Sequence, residues 1–175
     1  MESYMNRISN TGIVPVVKIL EKEDAYPLAK ALLNGGIDVI EVTYRSEHAT
    51  SAIQTISEQL PDMLVGAGTV LSVEQAKEAV EAGAKFIITP GFNTKVVQWC
   101  LDHDVEVYPG VSTASEVEMA LSMGLTQLKF FPAESSGGAK KLKDLSAPYA
   151  NVHFMPTGGI NTKNMHDYLS LPNVE

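Results

Sequence analysis

The chain has 175 residues, 45% hydrophobic and 19% charged, enough for one domain over 1–175 with a sizeable core. Its 13 Lys and Arg against 21 Asp and Glu leave a formal net charge of −8 with no basic stripe, which excludes nucleic acid as an expected partner. The single cysteine, Cys100, excludes an internal disulfide, and no apolar run approaches the roughly 18 residues of a membrane span. The N-terminal MESYMNRISNTG also lacks the basic-then-apolar pattern of a signal peptide, so a cytoplasmic location is expected.

Along the chain, short Val- and Ile-rich runs alternate with stretches of helical spacing. Strands are expected at Ile13–Ile19, Val39–Arg45, Leu64–Val70, Phe86–Pro90, Val105–Pro109, Gln127–Pro132 and Val152–Thr157. Helices are expected near 24–34, 48–59, 73–82, 94–103, 114–123, 138–146 and 163–170. Gly35-Gly36, Gly83 and Gly124 each fall just after a helix, where a C-terminal cap belongs. Cys100 lies within an amphipathic helical pattern and reads as a packed thiol.

Strict βα alternation with short turns implies a parallel sheet with right-handed crossovers. Polar residues gather at the C-terminal ends of most strands: Glu41, Arg45, Thr69, Thr89, Ser112, Thr113, Lys129 and Thr157. An open sheet concentrates its site at one switch point, whereas a closed barrel draws on many strand ends. The expected fold is therefore α/β, a TIM (β/α)8 barrel with only seven βα units in this chain. The sequence stops at Leu-Pro-Asn-Val-Glu, where an eighth strand is due, and C-terminal truncation is expected.

On the second strand Glu41, Thr43 and Arg45 share one parity, and Ile40, Val42 and Tyr44 the other. An inward carboxylate and guanidinium suit an acid–base group beside an anchor for a carboxylate ligand. An internal ion pair closing the barrel end fits the same residues. On the sixth strand Lys129 stands between Leu128 and Phe130, with Phe131 beyond. Desolvation lowers the pKa of an ammonium and frees an amine to attack carbonyls. Taken alone, a lysine at a strand end reads as snorkelling into solvent. Its parity with Phe131 and the two charges of the second strand favour the nucleophile.

Glycine-rich stretches carry weaker signals. Thr157-Gly158-Gly159 could cradle a phosphate after the seventh strand or serve as a tight βα turn. Gly66-Ala67-Gly68 lacks the third glycine of a dinucleotide loop, and Ser136-Gly137-Gly138 lacks the spacing of a P-loop and reads as a turn entering a helix. His48, His103, His153 and His166 show no ligand spacing, so no metal site is expected. There is no Gly-x-Ser-x-Gly elbow for serine-hydrolase chemistry.

Six of these segments are together familiar: Glu41-Val42-Thr43-Tyr44-Arg45, Val65-Gly66-Ala67-Gly68-Thr69-Val70, Thr89-Pro90-Gly91, Pro109-Gly110-Val111-Ser112-Thr113, Lys129-Phe130-Phe131-Pro132-Ala133-Glu134 and Pro156-Thr157-Gly158-Gly159-Ile160. In this order, over nearly the whole chain, they resemble the 2-keto-3-deoxy-6-phosphogluconate (KDPG) aldolase family, which also includes 4-hydroxy-2-oxoglutarate aldolases. The resemblance implies a class I aldolase that needs no cofactor and no metal. Position by position it makes Lys129 the Schiff-base lysine and Glu41 the proton shuttle. Arg45 and Thr69 match groups around the pyruvate carboxylate, and Pro90 and Phe131 match the pocket wall. Thr157, Gly158 and Gly159 match the region that receives the distal end of the substrate, phosphate included. A keto acid substrate and a homotrimer are implied as well. Tyr44 stands where the family commonly has an aliphatic residue. The family also continues through an eighth strand and helix bearing a Gly-Gly-Ser phosphate contact.

Two other functions fit the residues before that resemblance is weighed. One is a phosphosugar isomerase or epimerase using Glu41 as a base without covalent catalysis. The other is a non-catalytic barrel that binds a small anion.

Overall fold

The computed structural model describes residues 4–175. The chain forms two compact units, one of Met1–Thr89 and Asn93–Val107, the other of Pro90–Phe92 and Tyr108–Glu175.

In the first unit the elements run α1 (Tyr4–Thr11), β1 (Val16–Val17), a 3-10 turn (Lys22–Asp24), α2 (Ala25–Asn34), β2 (Val39–Thr43), α3 (Ala49–Gln59), β3 (Leu64–Gly68), α4 (Val73–Glu81), β4 (Phe86–Ile88), α5 (Thr94–Asp102) and β5 (Glu106–Tyr108). The sheet follows chain order, β1-β2-β3-β4-β5. Val39 pairs with Leu64, Glu41 with Gly66 and Thr43 with Gly68, all in parallel. β-Branched residues make β2 stiff and extended, and all five of its residues are buried. A strand buried on both faces is what a parallel sheet under crossover helices requires. Ala52, Ile53 and Ile56 of α3 are fully buried, an i, i+1, i+4 stripe turned to the core.

Helix ends carry local signals. The Ser72 hydroxyl accepts from the Gln75 N–H at the start of α4, and the Asn93 amide oxygen accepts from Lys95 and Val96 at the start of α5. Gly36 and Gly83, with φ of 84° and 107°, follow α2 and α4 in the left-handed conformation that a side chain disfavours.

The second unit contains β6 (Gly110–Val111), α6 (Ala114–Ser122), β7 (Gln127–Phe130), α7 (Gly138–Ser146), β8 (His153–Pro156) and α8 (Met165–Leu169). Its sheet is β6-β7-β8, again parallel. One core cluster joins Val117 and Ala120 of α6, Leu128 and Phe130 of β7, Leu142 of α7, Phe154 of β8 and Tyr168 of α8. Deleting a buried side chain such as Leu142 costs about 2–5 kcal/mol. Beyond α8 the chain returns to the sheet: Val174 bridges Phe154 in parallel, with Phe154 N–H donating to the Asn173 carbonyl at 2.8 Å and Glu175 N–H to the Phe154 carbonyl at 3.1 Å. The segment expected to open an eighth strand therefore does pair with β8.

Among the described residues there are seven βα units, and every expected strand and helix has a counterpart. Strand and helix ends otherwise shift by one or two residues, and three larger differences have local causes. The strand expected at Ile13–Ile19 shrinks to Val16–Val17, because Pro15 has no N–H; its carbonyl still accepts from Glu41 N–H at 2.9 Å. The strand expected at Val105–Pro109 ends at Tyr108, and a separate two-residue strand starts at Gly110, since Pro109 cannot donate to a ladder. Helix α1 was not anticipated. Only Met5 and Ile8 of it are buried, too few for a periodic signal, and tertiary bonds hold it: Arg7 Nε to Asp38 Oδ2 at 2.8 Å and Tyr4 N–H to the Glu106 carboxylate at 2.9 Å. Among the described residues, no helix is long and apolar enough to cross a membrane.

Candidate active site

In the first unit the predicted residues cluster at the C-terminal ends of β2, β3 and β4. Glu41 lies in β2 and is 1% exposed. Room for its carboxyl group comes from Gly68 of β3: a Cβ there would overlap the Glu41 carboxylate. Gly66 plays the same part for the ring of Phe86. The glycines that superficially suggest a dinucleotide loop are thus the vacant side of a tightly filled strand pair.

Two residues on, Thr43 is fully buried, and its hydroxyl donates to the Val17 carbonyl at 2.7 Å. The same oxygen accepts from Arg45 Nε at 3.1 Å. Arg45 itself is exposed, just past the end of β2. The internal ion pair offered as an alternative does not form through Arg45, which has no carboxylate partner among the described residues. Thr69, immediately after β3, has φ of 55°. A β-branched residue in that region is strained, at a cost of roughly 1–3 kcal/mol, and such strain concentrates at functional positions. Thr89, the residue after β4, is fully buried.

In the second unit Lys129 lies in β7 and is 5% exposed. Leu128 and Phe130 face the helix-covered core, so by strand alternation Lys129 and Phe131 face the opposite side. Lys129 is the register partner of Gly110 on one side and Met155 on the other. Its N–H donates to the Pro109 carbonyl at 2.9 Å, and its Nζ stands 5.3 Å from the centre of the Phe131 ring. Snorkelling into solvent, the alternative for a strand-end lysine, does not describe a residue this buried. Pro90 is held beside this group because Gly110 has no side chain: a Cβ there would strike the Pro90 carbonyl.

Past β7 the Phe131–Pro132 peptide is cis. The Ala133 N–H donates to the Thr157 carbonyl at 2.8 Å and Glu134 N–H to the Gly158 carbonyl at 3.0 Å, stitching the turn after β7 to the turn after β8. Gly158 and Gly159 have φ of 106° and 81°, and a Cβ at Gly158 would lie 3.5 Å from the Phe131 ring. Lys129, Phe131, Pro90, Thr157, Gly158 and Gly159 therefore belong to one cluster of this unit. Gly137 and Gly138 form the turn into α7, as their sequence suggested.

Two features escaped the sequence reading. The buried Tyr168 hydroxyl donates a hydrogen bond to Glu134 Oε1. Burial first, then the Glu134 carboxylate and Asp167, push that phenol far above its ordinary range. The helical spacing over 163–170 gives no sign of this contact. Thr43 was visible by parity with Glu41 and Arg45, but its two hydrogen bonds were not. Conversely, Ser112 and Thr113 serve a helix start: Glu116 accepts from their N–H groups at 2.8 and 2.9 Å, closing a capping box on α6.

The first unit thus holds a buried carboxylate, Glu41, and an exposed arginine tied through its Nε, and the second unit holds a buried primary amine, Lys129, beside an aromatic ring. Those are the parts of covalent carbonyl chemistry. Comparison with known proteins agrees. Residues 4–175 match the family described as KDPG and KHG aldolase. A 2-dehydro-3-deoxy-phosphogluconate aldolase of Treponema pallidum is 46% identical over 174 residues, 99% of this chain and 83% of that protein. The KDPG aldolase of Legionella pneumophila, solved with pyruvate captured at low pH as a covalent carbinolamine intermediate, is 45% identical with a TM-score of 0.90, covering 92% of this chain and 78% of that one. A 4-hydroxy-2-oxoglutarate/KDPG aldolase from TTHB1 has a TM-score of 0.92 at 35% identity, covering 99% and 86%. The α/β fold of TIM-barrel type expected from the sequence is the one shared with these structures.

Proposed function

Because this chain belongs to the KDPG and KHG aldolase family, we propose that it is a class I aldolase, cleaving a 2-keto-3-deoxy-6-phospho sugar acid or 4-hydroxy-2-oxoglutarate reversibly to pyruvate and an aldehyde. The observation that carries the reading is Lys129: a lysine 5% exposed, on the strand face turned away from the helix-covered core, beside Phe131.

In the proposed reaction the neutral Lys129 amine adds to the C2 ketone of the keto acid to give a carbinolamine, and loss of water gives a protonated imine. Glu41 takes the proton from the C4 hydroxyl. The C3–C4 bond then breaks, its electrons pass into the imine to form an enamine, and the aldehyde leaves. Protonation at C3 and hydrolysis of the imine release pyruvate and restore the amine. Arg45 pairs with the substrate carboxylate, Thr69 borders it, and together they hold the reacting carbons in line. Pro90 and Phe131 wall the pocket. Thr157, Gly158 and Gly159 receive the distal end, a phosphate or a second carboxylate. The iminium serves as the electron sink, so the reaction needs no cofactor. A homotrimer in the cytoplasm is the proposed setting.

Pyruvate release from each of the two keto acids, coupled to lactate dehydrogenase, tests the reading. Steady pyruvate formation from at least one is expected. Rearrangement of substrate without pyruvate would favour an isomerase or epimerase, and binding without turnover would favour an anion-binding barrel.

A further inference from the structure

We propose that Thr43 is a positioning residue for carboxylate recognition, acting through Arg45. The proposal rests on the aldolase reading above and names a part of the site that the reading leaves open.

A threonine hydroxyl has one proton to give and lone pairs to receive with. In β2 the direction is settled by the backbone: the hydroxyl is fully buried and donates to the Val17 carbonyl of β1 at 2.7 Å. Its lone pair therefore faces Arg45, and Arg45 Nε–H donates to it at 3.1 Å. The relay runs from a strand carbonyl through a rigid β-branched residue to an exposed guanidinium. Tying down Nε fixes the plane of the guanidinium while leaving its two terminal nitrogens for a bidentate grip on a carboxylate. Among the described residues no carboxylate pairs with Arg45, so its charge is not spent within the protein. Without the tie, an arginine just past a strand end samples many rotamers, and each carboxylate bound must select one.

Thr43→Val keeps the shape and removes the hydroxyl; Thr43→Ser keeps the hydroxyl. The expected result for Thr43→Val is a KM for the keto acid raised about tenfold with kcat within about twofold. Thr43→Ser returns KM to near the wild-type value. In an Arg45→Ala background, Thr43→Val adds nothing further, as two residues acting through one contact must behave. An unchanged KM in Thr43→Val, or an equal penalty with and without Arg45, would overturn the proposal. A second readout does not depend on turnover. In 15N NMR spectra the Arg45 Nε–H is expected to exchange slowly with water in wild type and Thr43→Ser, and rapidly in Thr43→Val. Slow exchange retained in Thr43→Val overturns the relay even if the wild-type protein releases no pyruvate. No pyruvate together with the expected exchange pattern would remove the aldolase reading and leave the relay standing.

Discussion

Glu41 and Gly68 occupy adjoining strands, and the carboxyl group of one fills the space that a side chain on the other would need. Thr43 rather than Glu41 is the register partner of Gly68, so the Glu41 side chain leans along β3 toward the strand's C-terminal end. The glycine sets where the carboxylate rests.

Gly68→Ala therefore forces the Glu41 carboxylate out of place. Overpacking of this kind costs about 1–3 kcal/mol of stability. Displacing a general acid–base group costs about 100-fold or more in kcat. Steady-state kinetics beside thermal melting would show both, and borohydride-trapped adduct at Lys129 is expected to persist. Wild-type kcat in Gly68→Ala would remove Glu41 from the proton-transfer role.

The Glu116 cap gives a pH dependence with a definite sign. Burial pushes this carboxyl up, but the N–H groups of Ser112 and Thr113 and their hydroxyls outweigh burial and hold it below its ordinary value. A depressed folded-state pKa contributes stability that is present above the unfolded value, about 4.3, and lost as pH falls through the lower folded value. Melting temperature is thus expected to fall more steeply in wild type than in Glu116→Gln between about pH 5 and pH 3. Thr113→Ala, which removes the other half of the box, is expected to cost about 1 kcal/mol. Parallel acid titrations of wild type and Glu116→Gln would contradict the assignment.

Cys100 is fully buried in α5, and burial pushes its thiol up to about 12. Thiolate is scarce at neutral pH, and reagent has no access. A disulfide reagent such as 5,5′-dithiobis(2-nitrobenzoate) is expected to label the native protein only at the rate of unfolding, and at once in denaturant. Rapid native labelling would contradict the packing of α5.

Most of this was legible in the sequence because the strands are purely parallel. Ile40 and Val42 alternate with Glu41 and Thr43, so the face of each residue followed from parity alone, and the same holds for Lys129 between Leu128 and Phe130. Glycines after helices announced the left-handed caps at Gly36 and Gly83. What was not legible depends on contacts distant in sequence. Helix α1 is held by partners at Asp38 and Glu106, which no local pattern reveals. The Glu134–Tyr168 hydrogen bond spans 34 residues. Ser112 and Thr113 stand among the polar strand-end residues of the sequence because a cap and a binding group draw on the same polar side chains.

Borohydride trapping with pyruvate, followed by peptide mapping, bears most directly on Lys129. A reduced pyruvyl adduct on Lys129 alone, absent from Lys129→Ala protein that still folds, is the expected result. Wild-type cleavage by Lys129→Ala, or an adduct spread over surface lysines with none at Lys129, would contradict a Schiff-base mechanism at this residue.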